Sequence, residues 1–399
     1  MLAGCAPKAE MTPTTTSEEP QITETEVTSE TTIAETEPAE EYIYAGYEGS
    51  ERANEILSNM TLRDKICQMI MVSPEQITGT EIPYYDTVFG DTSAAAIAEY
   101  PVGGLVLFGG NIVDPDQVTL YIQGYQEASA TGLFIAIDEE GGDITRIASN
   151  EAFDVEAFSP MREIGNTGDP SQAYHVGNTI GTYLLEYGFN LDFAPVSDVD
   201  SNPDNTVIGD RAFSDDPAAV AQMVTECVTG LHDAGVMCTL KHFPGHGDTV
   251  ADTHFETASI DRSMDEIRAC ELIPFASGIE AGADFIMTAH ITTPLVDTTG
   301  LPASLSHYWL TDILRNEMGF EGIIITDSMI MQAITDEFSS DEAAVMAVYA
   351  GADILLMPED IDLAIEGLTA AVENGVIPVE RIDSSVLRIL DKKIEYGLI

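Results

Sequence analysis

Residues 236–249 read Val-Met-Cys-Thr-Leu-Lys-His-Phe-Pro-Gly-His-Gly-Asp-Thr. The first five residues form a short apolar run with the length and composition of a buried β-strand. Lys241 and His242 follow it directly, and Pro244 and Gly245 then favour a loop over a continued strand or helix. A loop rich in titratable side chains at the end of a buried strand indicates a chemical site rather than a plain connection.

The same pattern, a short apolar run followed by polar or turn-forming residues, recurs along the chain. Together with residues 236–240 it predicts eight strands, and the other seven are residues 66–72, 104–108, 133–137, 189–194, 285–289, 323–326 and 354–357. Stretches with helical spacing or helix-capping residues lie between these runs, such as Asp114 to Ala130 and the stretch that opens at Asp216-Pro217.

Eight buried-type strands alternating with helices predict an α/β fold, a single (β/α)8 TIM barrel. An open doubly wound sheet is the structural alternative. Against it, no Gly-x-Gly-x-x-Gly motif follows the first run, and polar groups end at least five of the runs. In a barrel those ends converge on one face, where a site can be assembled.

Composition narrows the possible partners. The chain has 15 basic and 69 acidic residues and a formal net charge of −54. This charge argues against nucleic acids and anionic membrane surfaces as electrostatic partners. The five cysteines include no Cys-x-x-Cys pair, so they predict neither a zinc site nor a disulfide framework.

The first 45 residues differ from the rest of the chain. Residues 6–45 consist almost entirely of Thr, Glu, Ser, Pro and Ala, a composition that predicts a disordered linker. Leu2-Ala3-Gly4-Cys5 resembles a bacterial lipobox, although no basic or apolar signal region precedes it. We therefore expect a signal remnant over residues 1–5, lipidation of Cys5, a catalytic domain over 46–399, and an extracytoplasmic location on a bacterial cell membrane through the lipid alone.

Four motifs in a fixed order make the chain resemble glycoside hydrolase family 3, specifically its β-N-acetylhexosaminidase branch. The resemblance covers about residues 52–396, and the stretch from Lys241 to Thr249 followed by Asp252-Thr253-His254 is its most specific part. The supporting motifs are Asp138-Glu139-Glu140-Gly141-Gly142 with Arg146, Val207-Ile208-Gly209-Asp210-Arg211-Ala212-Phe213, and Ile325-Thr326-Asp327-Ser328-Met329.

The resemblance assigns the catalytic nucleophile to Asp327, which follows the seventh predicted strand. A carboxylate in this place can attack an anomeric carbon and form a covalent glycosyl-enzyme. Without the family match, Asp327 could equally cap the helix that follows.

The acid and base of this branch resemble a His-Asp dyad, which maps to His254 and Asp252. An imidazole can donate and then accept a proton near neutrality, and a neighbouring carboxylate can orient it. An Asp-x-His pair also occurs among metal ligands. No third ligand stands at a suitable spacing in the sequence, so we expect neither a metal nor another cofactor.

The resemblance also implies the sugar-binding residues. Asp138 would accept hydrogen bonds from two hydroxyls, and the donors would be Lys241, His242, Arg146 and Arg211. Arg211 could instead form a salt bridge with Asp210 or Asp215. His246 and Asp248 are expected to shape the loop, and His290 either lines the pocket or has a structural role.

Two departures from the family pattern stand out. Glu139 and Asp143 occupy positions where Gln and Arg are usual, and the chain ends just after the barrel's last predicted helix, without the second domain of family β-glucosidases. We expect a retaining exo-β-N-acetylglucosaminidase acting on N-acetylglucosamine-containing oligosaccharides or muropeptides from peptidoglycan or chitin. The alternatives are a β-N-acetylglucosaminide phosphorylase, a family 3 β-glucosidase and a non-enzymatic surface sugar-binding lipoprotein.

Overall fold

The computed structural model describes residues 46–81, 83–249 and 258–399. Eight strands form one parallel sheet: β1 (Ile70–Val72), β2 (Gly104–Val106), β3 (Phe134–Ile137), β4 (Leu191–Asp192), β5 (Met237–Phe243), β6 (Phe285–Thr288), β7 (Ile323–Thr326) and β8 (Leu355–Leu356). Their order in the sheet is β8-β1-β2-β3-β4-β5-β6-β7. A parallel bridge between Ile325 and Ile354 brings the two ends together. The predicted (β/α)8 barrel is therefore confirmed.

Helices connect the strands and cover the outside of the sheet. They are α1 (Glu51–Leu57), α2 (Leu62–Gln68), α3 (Pro74–Thr78), α4 (Asp91–Glu99), α5 (Pro115–Ala128), α6 (Met161–Asn166), α7 (Pro170–Tyr187), α8 (Pro217–Ala234), α9 (Met264–Ala269), α10 (Leu272–Glu280), α11 (Gln332–Thr335), α12 (Ser340–Ala350), α13 (Ile361–Glu373) and α14 (Val379–Glu395). A π-helix spans Tyr308–Glu317, and Ala258–Ser259 pairs in parallel with Ile291–Thr292. Among the described helices, none combines the length and the apolar character needed to cross a bilayer.

The first predicted strand, residues 66–72, was partly wrong. Its first three residues belong to α2, and only Ile70–Val72 enters the sheet. The reason lies upstream, where Thr61 and Asp64 form a capping box that starts a helix. A mostly apolar run of seven residues does not by itself distinguish a buried helix end from a buried strand.

Side chains from opposite strands fill the barrel. The rings of Phe134 on β3 and Phe285 on β6 meet edge to face, with centroids 5.2 Å apart. Outside the sheet, α7 and α8 pack closely because Gly177 has no side chain. A Cβ at this position would lie only 2.3 Å from the Cys227 carbonyl oxygen. This packed scaffold holds the loops that follow the strands.

Candidate active site

A pocket of about 340 Å³ opens at the carboxyl ends of the barrel strands. Active sites of (β/α)8 enzymes lie on this face. Apolar side chains, among them Phe108, Ile330 and Met357, form part of the lining. The predicted site residues that fall within the described ranges all line this pocket: Asp138, Arg146, Arg211, Lys241, His242 and Asp327.

Three further predicted residues, Asp252, His254 and Cys5, lie outside the described residues. The chain is described up to Thr249 and again from Ala258. The roles assigned to these three residues therefore stay predictions.

Lys241 lies at the centre of the charged part of the pocket. Its side chain is 2% exposed, and its Nζ lies 2.8 Å from Oδ1 of Asp138 and 2.6 Å from Oε1 of Glu140. Burial by itself lowers the pKa of Lys241, but the two carboxylates outweigh this effect and raise the pKa above its usual value. Lys241 is therefore a permanent cation at neutral pH.

Glu140 joins Lys241 to a second cation. The Nε and Nη2 atoms of Arg211 donate to the two Glu140 oxygens at 2.8 and 2.6 Å, a bidentate pair. Burial raises the pKa of Glu140, but Lys241 and Arg211 outweigh it and hold the pKa well below its usual range. Arg211 thus pairs with Glu140 rather than with Asp210 or Asp215, which the sequence left open. Sequence reasoning also gave Glu140 no role.

Asp138 directs a carboxylate towards the open part of the pocket. Its side chain is 21% exposed, and its second oxygen lies 3.6 Å from Nη2 of Arg146. A carboxylate held between two cations keeps acceptor capacity for neutral donors. Asp138 can therefore accept hydrogen bonds from the hydroxyl groups of a bound sugar.

Glu139 organises the loop that carries Arg146. Its fully buried carboxylate accepts the backbone N–H groups of Arg146, Ile147 and Ala148 at 2.5, 3.0 and 2.9 Å. The Tyr183 hydroxyl from α7 donates to the same carboxylate at 2.9 Å. Glu139 is thus a structural anchor that positions the pocket residue Arg146, and the departure from the family's usual Gln falls on this anchor.

The imidazole of His242 contacts a buried carboxylate that the sequence analysis did not identify. Its Nδ1 lies 2.8 Å from Oδ2 of Asp198, whose side chain is fully buried. Asp198 follows the fourth predicted strand, where one more acidic residue in a loop gave no signal of its own. Its partnership with His242 depends on the pairing of two strands.

Asp327 follows β7 and lies next to β6. Its backbone N–H donates to the Thr288 carbonyl at 2.9 Å, and its Oδ1 accepts the N–H of Ser328 at 2.7 Å. His290 is fully buried beside this turn, with Nε2 3.1 Å from the Ser328 carbonyl and Nδ1 2.7 Å from the Ser304 hydroxyl. His290 is not among the pocket-lining residues, so the structure favours its structural role.

Hydrogen bonds and ion pairs hold the described residues on both sides of residues 250–257. The Thr249 hydroxyl lies 2.7 Å from Nδ1 of His246. Arg262 bridges Asp248 at 2.7 Å and the buried carboxylate of Glu271 at 2.6 Å. His246 and Asp248 therefore shape this loop, as the sequence predicted.

A different cluster of potential metal ligands lies near the amino ends of β5 and β6. It consists of His232, Cys238 and Asp284. Lys392 lies 2.9 Å from one Asp284 oxygen, His232 lies 2.8 Å from the other, and the Tyr396 hydroxyl reaches both. Asp284 therefore already has Lys392 as a counter-charge and hydrogen-bond partners for both of its oxygens. Through these partners it links α8 to α14.

Comparisons with known proteins identify the family of this chain. The model of the glycosyl hydrolase family 3 N terminal domain matches residues 61–391. Beta-hexosaminidase A of Pseudoalteromonas piscicida is 36% identical over 326 residues, which are 74% of this chain and 54% of that protein. This chain thus spans about half the length of that relative.

Two further relatives are similar over most of this chain. Beta-hexosaminidase of Idiomarina loihiensis is 36% identical over 296 residues, covering 74% of this chain and 86% of that protein. The structure of a family 3 beta-N-acetylglucosaminidase from Paenibacillus sp. str. FPU-7 superposes with a TM-score of 0.79 at 37% identity, covering 85% of this chain and 63% of that one. The predictions of family and of a glycoside hydrolase are confirmed: the chain belongs to glycosyl hydrolase family 3.

Proposed function

We propose that this protein is a retaining exo-β-N-acetylglucosaminidase that releases terminal non-reducing N-acetylhexosamine. The observation that carries the proposal is a compact pocket that Asp327 lines together with Asp138, Arg211, Lys241 and His242. Its volume of about 340 Å³ is at the lower end for small-molecule sites and suits a single terminal sugar.

In the first chemical step, the Asp327 carboxylate attacks the anomeric carbon. The bond from that carbon to the leaving oxygen breaks, and the imidazolium of His254 gives its proton to this oxygen. Asp252 orients the imidazole. The sugar is then linked covalently to Asp327, and His254 is neutral.

In the second step, a water molecule attacks the same carbon. His254 now acts as a base and takes a proton from the water, while the bond to Asp327 breaks and restores its carboxylate. The sugar leaves with its original anomeric configuration. The fixed charges of Lys241 and Arg211 hold the ring in place through both steps without being consumed.

The names of the relatives support hexosamine over glucose as the sugar. We take the natural substrates to be N-acetylglucosaminyl ends of peptidoglycan or chitin fragments, including muropeptides. The lipobox-like residues before the Thr/Glu-rich segment support a location outside the cell membrane, with Cys5 as the lipid attachment site.

The test is product analysis with p-nitrophenyl β-N-acetylglucosaminide and the matching β-glucoside, each with and without phosphate. We expect hydrolysis of the first substrate to N-acetylglucosamine, much slower reaction of the second, and no sugar phosphate. N-acetylglucosamine 1-phosphate as the main product would make the protein a phosphorylase. Faster reaction of the glucoside would make it a glucosidase, and binding without turnover would leave a sugar-binding protein.

A further inference from the structure

Asp198 owes its position to strand pairing beyond the end of β4. Val196 forms a parallel bridge with Lys241, and the N–H of Ser197 donates to the Lys241 carbonyl at 2.7 Å. This register sets Asp198 beside His242 on the neighbouring strand. The backbone hydrogen bond at Ser197 thus keeps the backbone of Asp198 next to that of His242.

The buried carboxylate of Asp198 accepts from N–H groups on two residues. Its Oδ2 lies 2.8 Å from Nδ1 of His242, and its Oδ1 accepts the backbone N–H of His246 at 2.6 Å. The backbone N–H of His242 lies 3.2 and 3.3 Å from the two oxygens. Every one of these contacts suits an ionised carboxylate, which has acceptors and no donor.

The charge state of Asp198 agrees with this geometry. Burial raises the pKa of Asp198. Attraction to His242 and His246, together with the hydrogen bonds that both residues donate, outweighs burial and holds the pKa below its usual value. An ionised Asp198 cannot donate to Nδ1 of His242. The proton of their shared hydrogen bond therefore belongs to Nδ1.

We propose, on the basis of the function proposed above, that Asp198 is a positioning residue that fixes His242 in its Nδ1–H tautomer. In this tautomer Nε2 carries the lone pair, and from the pocket wall it can accept a hydrogen bond from a sugar hydroxyl. This differs from the donor role that the family resemblance implied for His242. Arg146, Lys241 and Arg211 remain the donors, so the pocket offers a hydroxyl both kinds of partner.

Asp198→Asn is a sharp test because the amide has nearly the same shape. Its oxygen can keep the hydrogen bond from the His246 backbone, while its NH₂ faces Nδ1 of His242 as a donor. The imidazole must then place its proton on Nε2. We expect the variant to fold like the wild type and to lose kcat/KM by about 10- to 100-fold, the range for a hydrogen bond of this kind.

The tautomer is read directly by ¹⁵N NMR of the histidine rings in the free protein. The chain has seven histidines, and the His242 signals are identified by their loss in His242→Ala. We expect a protonated Nδ1 in the wild type and a protonated Nε2 in Asp198→Asn. A wild-type ring protonated at Nε2, or a variant with an unchanged tautomer, would overturn the proposal.

Asp192→Asn is the matched control. Asp192 is also a fully buried acid at the end of β4, but its Oδ1 accepts the Glu139 backbone N–H rather than an imidazole. Its replacement should leave the His242 tautomer unchanged. Change of the His242 tautomer in this control would show that burial of any new amide, and not contact with His242, is responsible.

A double-mutant cycle tests whether Asp198 acts through His242. In a His242→Ala background, Asp198→Asn should cost less than about 3-fold in kcat/KM, since the interaction it disturbs is already gone. A loss as large as in the wild-type background would show a purely structural role and overturn the proposal. Inactivity of the wild type on N-acetylglucosaminides would instead remove the proposed function, while the NMR result would still decide the tautomer.

Discussion

Cations are scarce in this chain, and three of them meet in one pocket. The sequence has 15 Lys and Arg residues among 399, yet Arg146, Arg211 and Lys241 all line the same cavity. Asp138 and Glu140 balance them at hydrogen-bond distance or slightly beyond. At the scale of single residues, the site is thus a compact, nearly neutral cluster within a strongly acidic protein.

Glu140→Gln should therefore destabilise the protein. Removing one partner of a buried ionic cluster costs about 3–5 kcal/mol, because Arg211 loses its paired carboxylate and Lys241 keeps only Asp138 as a counter-charge. Urea unfolding measures this loss, and Glu151→Gln on an exposed loop position is the control. A loss no larger than that of the control would contradict the account.

The difference in stability between the wild type and Glu140→Gln should depend on pH. The pKa of Glu140 is lower in the folded than in the unfolded chain, so its contribution is complete above the ordinary glutamate pKa of about 4.3. It is lost as the pH falls from there through the lower folded pKa. The stability gap between wild type and Glu140→Gln should hold from pH 7 to 5 and shrink below that.

Much of the site could be predicted because its members follow strands. Asp138, Lys241 and Asp327 each come directly after an apolar run, and parallel strands bring such positions to one face. Glu140 and Asp198 could not be given roles in the same way. Their partners lie 71 and 44 residues away in sequence. The local sequence around an acidic residue in a loop does not show which distant residue it pairs with.

Among the elements, β5 contributes most to the site. The sequence predicted a strand that ends at Leu240, but the strand continues through Phe243, which pairs with Thr288 of β6. Lys241 and His242 are therefore fixed by the sheet and do not belong to a loose loop. The ladder that decides this comes from β6, so the local sequence alone could not show it.

Helix α14 contributes an unusual buried lysine to the other end of the barrel. Nζ of Lys393 donates to Gln68 Oε1 at 2.8 Å and to the Gly132 carbonyl at 2.9 Å. Burial lowers the pKa of Lys393 to about 7. Folding therefore carries a cost for the charged amine that is largest below this pH.

Lys393→Met should reveal this cost through its pH dependence. Between about pH 7 and the ordinary lysine pKa of about 10, the unfolded chain keeps a proton that the folded wild type has lost, so the wild type gains stability relative to the variant as the pH rises. Thermal or urea unfolding across this range measures the difference. Arg52→Met on the exposed face of α1 should show no such trend, and a flat difference for Lys393→Met would contradict the account.

The chain consists of an acidic, Thr/Glu-rich first segment, residues 6–45, and a barrel with a small pocket. A net charge of −54 gives no electrostatic attraction to an anionic bilayer. If the proposed location is right, a lipid on Cys5 must supply the attachment. A single acyl chain gives only weak membrane binding, so stable anchoring calls for a second acyl chain.

Cys5→Ala should release the protein to the medium. The variant and the wild type are expressed as precursors with a signal sequence in a Gram-positive host, and the enzyme is measured in membrane and soluble fractions. Deletion of residues 6–45 is the companion variant and should leave kcat of the soluble enzyme unchanged, because that segment lacks the apolar content to pack on the barrel. An unchanged soluble pool in Cys5→Ala would end the lipoprotein proposal without touching the glycosidase one.

The most direct test of the central claim is to trap the covalent sugar and locate it. The protein is incubated with a 5-fluoro N-acetylglucosaminyl fluoride, digested, and its peptides are analysed by mass spectrometry; Asp327→Ala is the test variant and Asp336→Ala, exposed nearby on the same segment, is the control. We predict that the label lies on Asp327 in the wild type and in the control, and that it is lost in Asp327→Ala. A label on another carboxylate, or turnover in Asp327→Ala above a tenth of the wild-type value, would contradict the account.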